Sequence, residues 1–118
     1  MATWETVCEL GAELPDVQVD RWYGTPALKV AGKGFARLRD DGAVLVVMID
    51  ILEREALMQE DPETFHITPH YQDWPAMLIN LERVDTQELR ELLIESWRLK
   101  APKRLLKAYD AAWEADSS

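Results

Sequence analysis

A run of alternating segments joined by glycine turns, between residues 27 and 50, constrains this chain more than any other feature. "ALKVA" alternates, and "GKG" at 32–34 reads as a tight hairpin connection. "FARLRD" sets Phe35, Arg37 and Arg39 against Ala36 and Leu38. "DDG" at 40–42 reads as a second hairpin turn, and "AVLVVMID" follows. Connections this short force antiparallel neighbours, because a parallel crossover needs about a dozen residues or more. "YGTP" at 23–26 reads as a further turn, so strand-like signals run from residue 17 to residue 50.

Helical spacing frames this run. Thr3 is a fitting N-cap for a helix over 3–13, with Trp4, Val7 and Cys8 at helical spacing and "LPD" at 14–16 as its stop. Asp50 caps a helix over 51–60, in which Leu52, Ala56 and Leu57 are expected to face inward. "TFHIT" and "AMLINLERV" (76–84) are strand candidates. Asp85 or Thr86 then caps a long helix whose Leu89, Leu92, Leu93 and Trp97 form an apolar stripe. Pro102 breaks that helix near Ala101, and a last helix over 102–114 carries Leu105, Leu106, Tyr109 and Trp113 before a frayed "EADSS" tail. The order helix, strands, helix, strands, two helices predicts an α+β fold. Its antiparallel sheet has about five to six strands, with helices packed on one face, in a single domain over 1–118.

The totals exclude several classes. With 47% hydrophobic and 30% charged residues the chain reads as globular and not disordered. The longest apolar stretch, "AVLVVMI" at 43–49, has strand length and falls far short of the roughly 20 residues that span a bilayer. No basic segment followed by an apolar one opens the sequence, so no secretory signal is expected. Cys8 is the only cysteine, so no internal disulfide can form, and a reducing, cytoplasmic setting is expected. A net charge of −9 disfavours nonspecific binding to nucleic acid or anionic membranes.

Several stretches carry a family resemblance: "YGTPA" (23–27), "KGFARL" (33–38), "EREAL" (53–57), "DPETFHITPHYQDWPAML" (61–78) and "ELLIESWRLKAPKRL" (91–105). Together they resemble the MmcQ/YjbR-like family across nearly the whole chain. "TPHY…P" and "WR…APKRL" are the most specific matches, and Ser96 stands where that pattern has a small alanine. The resemblance implies a compact domain related in fold to frataxin-like proteins, and DNA binding through a double-wing-like use of that fold. It implies no reaction and no catalytic residues.

"TFHITPHYQDWP" (64–75) holds both histidines and packs Phe65, Tyr71 and Trp74 between prolines. His66 and His70 are four apart, as zinc ligands on a helix would be, but Ile67, Thr68 and Pro69 oppose a helix, and only Glu63 or Asp73 could add a third ligand. A stiff loop forming one wall of a pocket is the better reading, because prolines restrain the backbone and the rings bury large areas. That pocket is expected to be lined by Tyr23, His66, His70, Tyr71 and Trp74, with Arg98 or Lys103 fixing an anionic group. Cys8 on the apolar face of the first helix reads as packing, no G-x-S-x-G elbow is present, and "GKG" lacks a phosphate loop's context. Catalysis, a cofactor and a resident metal are therefore not expected. A third reading places metal on the acidic face formed by Glu5, Glu9 and Glu13, spaced four apart, although such a row is commonly a solvated face.

"RLKAPKRLLK" (98–107) reverses the chain's charge, with Arg98, Lys100, Lys103, Arg104 and Lys107 and no acid. On a helix from Pro102, Lys103, Arg104 and Lys107 share a flank, and Arg98 and Lys100 precede the break. Such a group can grip phosphates, with Arg37 and Arg39 on a hairpin extending it as a wing. The competing reading is helix-end stabilisation and pairing with Glu91, Glu95 or Asp110. Three partners thus stand open: DNA, a small anionic ligand or protein held by the 64–75 loop, and a metal on the first helix.

Overall fold

Tight turns with positive φ set the sheet. In the computed structural model, which describes residues 2–39 and 42–117 with side chains described up to 112, β1 (Val17–Trp22) and β2 (Thr25–Val30) are joined by Tyr23 and Gly24, at φ of 54° and 79°. Ala31 and Gly32, at 49° and 80°, join β2 to β3 (Lys33–Leu38). Two residues with φ above zero match the right-handed twist of antiparallel strands. Both turns therefore fall earlier than the sequence reading placed them: Thr25 and Pro26 belong to β2, and Lys33 and Gly34 to β3. A third connection leads to β4 (Val44–Met48); Gly42 has φ of 74°, while Asp40 and Asp41 of the expected "DDG" turn lie outside the described residues.

β5 (Phe65–His66) and β6 (Ala76–Asn80) complete a six-stranded antiparallel sheet ordered β1-β2-β3-β4-β6-β5. The α+β class with helices against an antiparallel sheet is as expected, although the two later strand candidates shorten to 65–66 and 76–80.

α1 (Trp4–Gly11) opens on a capping box, with Thr3 Oγ1 accepting from the Thr6 amide at 3.3 Å and Thr6 Oγ1 accepting from the Thr3 amide at 3.1 Å. It ends two residues before the expected 13. A Cβ on Gly11 would lie 2.7 Å from Leu28 Cδ1, so a larger residue there would make the buried Leu28 side chain shift. α3 (Thr86–Lys100) is capped by Asp85, which accepts from the Gln87 and Glu88 amides at 3.1 and 3.2 Å. Its Leu89, Leu92, Leu93 and Trp97 are buried against β3 and β4. Trp97 donates from Nε1 to the Pro15 carbonyl at 3.0 Å, tying α3 to the loop after α1. α4 (Lys103–Ser117) runs past the expected end at 114, and Tyr109 lies 5.1 Å from the Trp97 ring. The side chain of Trp113 lies outside the described residues.

α2 (Ile51–Glu60) departs most from expectation. Asp50 caps it, accepting from the Leu52 and Glu53 amides at 3.1 and 3.3 Å. Yet Leu52 is 81% exposed, Ala56 is exposed and Leu57 half-buried; the residue it buries is Arg54, 1% exposed. Among the described residues no helix is long and apolar enough to cross a membrane.

Candidate functional site

Strand alternation gives the sheet two unlike faces. Leu28, Ala36, Val47 and Met77 register across four strands on the face that meets α1 at Gly11. Ala27, Arg37, Val46, Leu78 and His66 register as the adjoining row and point the other way. On that second face lies a cavity of about 480 Å³, well within the size of small-molecule pockets. Val46, Met48 and Ala76 form its floor. Trp22 and Tyr23 rise from the first hairpin, His70, Tyr71 and Trp74 come from the loop before β6, and Arg37 stands between them.

Arg37 is held by neutral groups. Nη1 donates to Thr25 Oγ1 at 3.2 Å and Nη2 donates to Tyr71 Oη at 2.9 Å. The Thr25 hydroxyl is itself fixed, donating to the Trp22 carbonyl at 3.2 Å. The guanidinium carbon lies 5.6 Å from the centre of the Tyr23 ring. Among the described residues no carboxylate pairs with Arg37. A guanidinium carries five N–H groups, so the two bonds above leave donors and a full charge to meet a ligand.

The loop wall is built by α2. Arg54 Nη1 donates to the carbonyls of Tyr71 (3.1 Å), Trp74 (2.7 Å) and Ala76 (3.1 Å), and Nη2 to that of Gln72 (3.0 Å) and to Glu55 Oε1 (3.3 Å). One buried side chain thus ties together three carbonyls of the loop and the first of β6, supplementing the backbone bonds already made to those of Tyr71 and Trp74. A short 3₁₀ turn, Pro69–Tyr71, sets His70 edge-on to Tyr71, with centroids 5.2 Å apart and planes at 89°. Trp22 lies flat over Gly34, where a Cβ would come within 2.5 Å of the indole.

Of the residues expected to line a pocket, Tyr23, His70, Tyr71 and Trp74 are brought together. His66 is not: it stands three strands from Arg37 in the same row, roughly 14 Å away by strand spacing. Nor do Arg98 or Lys103 reach the cavity, where Arg37 takes the place proposed for them. Arg37 therefore does not extend a solvent-facing wing, and Arg39, half-buried at the end of β3, lies outside the lining as well. The sequence reading missed Trp22, Val46, Met48 and Ala76, and it missed Arg54 altogether.

The cations of 98–107 are partly neutralised. Arg98 donates to both carboxylate oxygens of Asp110 at 3.0 and 3.3 Å, and Arg104 lies 3.8 Å from Asp16. Lys103 and Lys107 are exposed and, among the described residues, without an ion pair; Lys100 is half-buried in a hollow beside Asp50 and Pro75. The acidic face of α1 loses a member too: Glu13 lies beyond the helix end and pairs with Arg90 at 3.3 Å. A denser acidic surface lies elsewhere, in a groove between α2 and α3 lined by Glu53, Glu88, Glu91 and Glu95 with Leu57 and Leu92. Burial, then the neighbouring acids, pushes the carboxyls of Glu53 and Glu88 up. Burial, with Glu5 and Glu9 nearby, likewise raises the Cys8 thiol, which keeps it protonated and unreactive.

Residues 12–99 match the YjbR family. An uncharacterised protein of Mycobacterium bovis is 29% identical over 124 residues, covering 92% of this chain and 96% of that protein, and uncharacterised proteins from two Mycobacterium tuberculosis strains give the same figures. The crystal structure of a Deinococcus radiodurans protein with a DUF419 domain superposes with a TM-score of 0.76 at 22% identity, covering 92% of this chain and 88% of that one. That likeness speaks for the fold.

Proposed function

This chain belongs to the YjbR family, and from that premise we propose that it is a binding module for a small organic anion, held in the cavity over Arg37. One observation carries the reading. A guanidinium without a carboxylate partner among the described residues, oriented by Thr25 and Tyr71, stands in an aromatic-walled cavity of a protein whose net charge is −9. An acidic surface offers many partners to a stray arginine, so one kept apart from them is suited to an incoming anion. Among the described residues the lining holds no cysteine or serine nucleophile, so the reading is of binding without covalent chemistry.

A thermal-shift screen of small carboxylates and phosphate esters tests it. A ligand at a hundred times its Kd adds about 2.7 kcal/mol, which is several degrees for a chain of this length. The expected result is such a shift for some anions and its loss in Arg37→Gln; a flat response across the panel removes the reading.

DNA binding ranks second. It rests on Lys103 and Lys107, four apart and exposed on α4, with Lys100 close by in sequence. Against it stand the Arg98–Asp110 and Arg104–Asp16 pairs, which withdraw two of the five cations. A duplex titration at two salt concentrations, repeated with Lys103 and Lys107 changed to Ala, checks this: no binding at low salt, or binding that the changes leave untouched, excludes it.

A further inference from the structure

We propose that the ligand is a planar aromatic acid: one flat ring system bearing a single carboxylate or comparable acidic group. The inference rests on the anion-binding reading above and deepens it. The cavity offers one cation, Arg37, and no second basic side chain except the imidazole of His70, so it matches one negative charge. The remainder of the lining is aromatic or aliphatic. Trp22, Tyr23 and Trp74 present ring surface, while Val46, Met48 and Ala76 make a smooth floor with no side-chain hydrogen-bonding group. A polar, hydroxylated anion such as a sugar phosphate would leave its hydroxyls unpaired against that floor, which opposes binding. A flat ring loses nothing there and gains contacts with the indoles.

The ring contacts already in place show the geometry a ligand would join. Trp22 and Tyr23 lie 5.4 Å apart with planes at 30°, and Tyr23 lies over the Arg37 guanidinium. Tyr23 is 73% exposed and Trp74 50% exposed, so two ring walls are wetted and stand to gain from covering a ligand. Aromatic pairs beyond simple burial are worth roughly two- to twelvefold in affinity each, which favours an aryl acid over an alkyl acid of equal charge.

Calorimetry on the full chain with three probes decides it: 2-naphthoate, its neutral carboxamide, and octanoate. The expected outcome is that 2-naphthoate binds at least about tenfold more tightly than either of the others. Arg37→Gln should erase the advantage over the carboxamide, and Trp74→Leu, at a half-exposed position, should erase the advantage over octanoate. Equal binding of naphthoate and octanoate overturns the aromatic assignment and leaves an anion pocket. Equal binding of naphthoate and carboxamide shows that the acid contributes nothing, and overturns the anion reading together with this one. No binding of either acid overturns the aromatic assignment, while the anion reading stands or falls with the wider panel of carboxylates and phosphate esters. The wild-type comparison among probes stands even if a variant proves poorly folded.

Discussion

Arg54 and Gly34 never touch a ligand, yet the cavity depends on both. Arg54 is buried with its charge shared among four backbone carbonyls; the Tyr71 and Trp74 carbonyls also accept backbone amides, so its loss strands those of Gln72 and Ala76. Arg54→Met, close in volume and unable to donate, is expected to lower stability by about 3 kcal/mol or more, the range for breaking a buried charged network. Urea unfolding measures that. Amide exchange at Gln72, Asp73 and Trp74 should rise further than exchange in β4, because the loop loses its anchor before the sheet does. Arg54→Lys should rescue little, since one ammonium cannot feed carbonyls lying along both arms of a guanidinium. Gly34 acts by close approach. Its would-be Cβ lies 2.5, 2.7 and 2.9 Å from three atoms of the Trp22 indole. Gly34→Ala therefore drives that ring off β3, at about 1–3 kcal/mol for an overpacked contact. The readout is a shifted tryptophan emission together with weakened binding of any cavity ligand; unchanged emission would mean the indole does not rest on Gly34.

Helices and strands show where the sequence was legible and where it was not. Asp50, Asp85 and Thr3 announced three helix starts because capping is local chemistry, settled within four residues. The hairpins were legible as hairpins. Their turns were misplaced because Thr25, Pro26, Lys33 and Gly34 were read as turn residues although they belong to strands, while Ala31, which takes φ above zero, was read as strand. Leu52 and Ala56 misled because α2 adds only Leu57 and Met58 to the core and is anchored by the polar network of Arg54, and no periodicity marks a buried arginine. For the same reason Tyr71 and Trp74 were found as aromatic loop residues while Arg37 was assigned to an exposed wing: its partners Thr25 and Tyr71 lie 12 and 34 residues away. The α2–α3 groove was likewise hidden, since Glu53 and Glu88 are distant in sequence. Their carboxyls are raised in the folded chain, so the fold holds more protons than the unfolded chain across the window from the ordinary carboxylate range upward. Stability from these groups is present below that range and is lost as pH rises through the raised values. Glu53→Gln or Glu88→Gln should thus stabilise the protein at neutral pH by roughly 0.3–0.5 kcal/mol after screening, with the gain gone in acid and reduced by salt. Paired urea titrations at neutral and acidic pH check the sign; a gain at acidic pH alone would contradict it.

Charge acts over the whole molecule, and it separates the two functional readings by the sign of a salt effect. With a net charge of −9 the protein repels an approaching anion over a Debye length of about 8 Å at physiological salt. Added salt therefore raises the on-rate of an anion bound for Arg37, where the final contact is half-buried and less screened. Duplex DNA gripped by Lys100, Lys103 and Lys107 behaves in the opposite way. Three phosphate contacts release counterions and give a log–log slope of about −2.7, so affinity falls steeply as salt is added. Stopped-flow association of an aryl acid between low and physiological salt is expected to show a rate that climbs. A rate that falls would place the ligand on an exposed cationic surface and not in the cavity. At physiological salt, where the long-range effect of one lost charge is largely screened, the same measurement in Lys103→Ala should be unchanged, because among the described residues α4 contributes nothing to the cavity lining. A variant that slowed entry would join the basic helix to the site after all, and the separation between cavity and patch would fail with it.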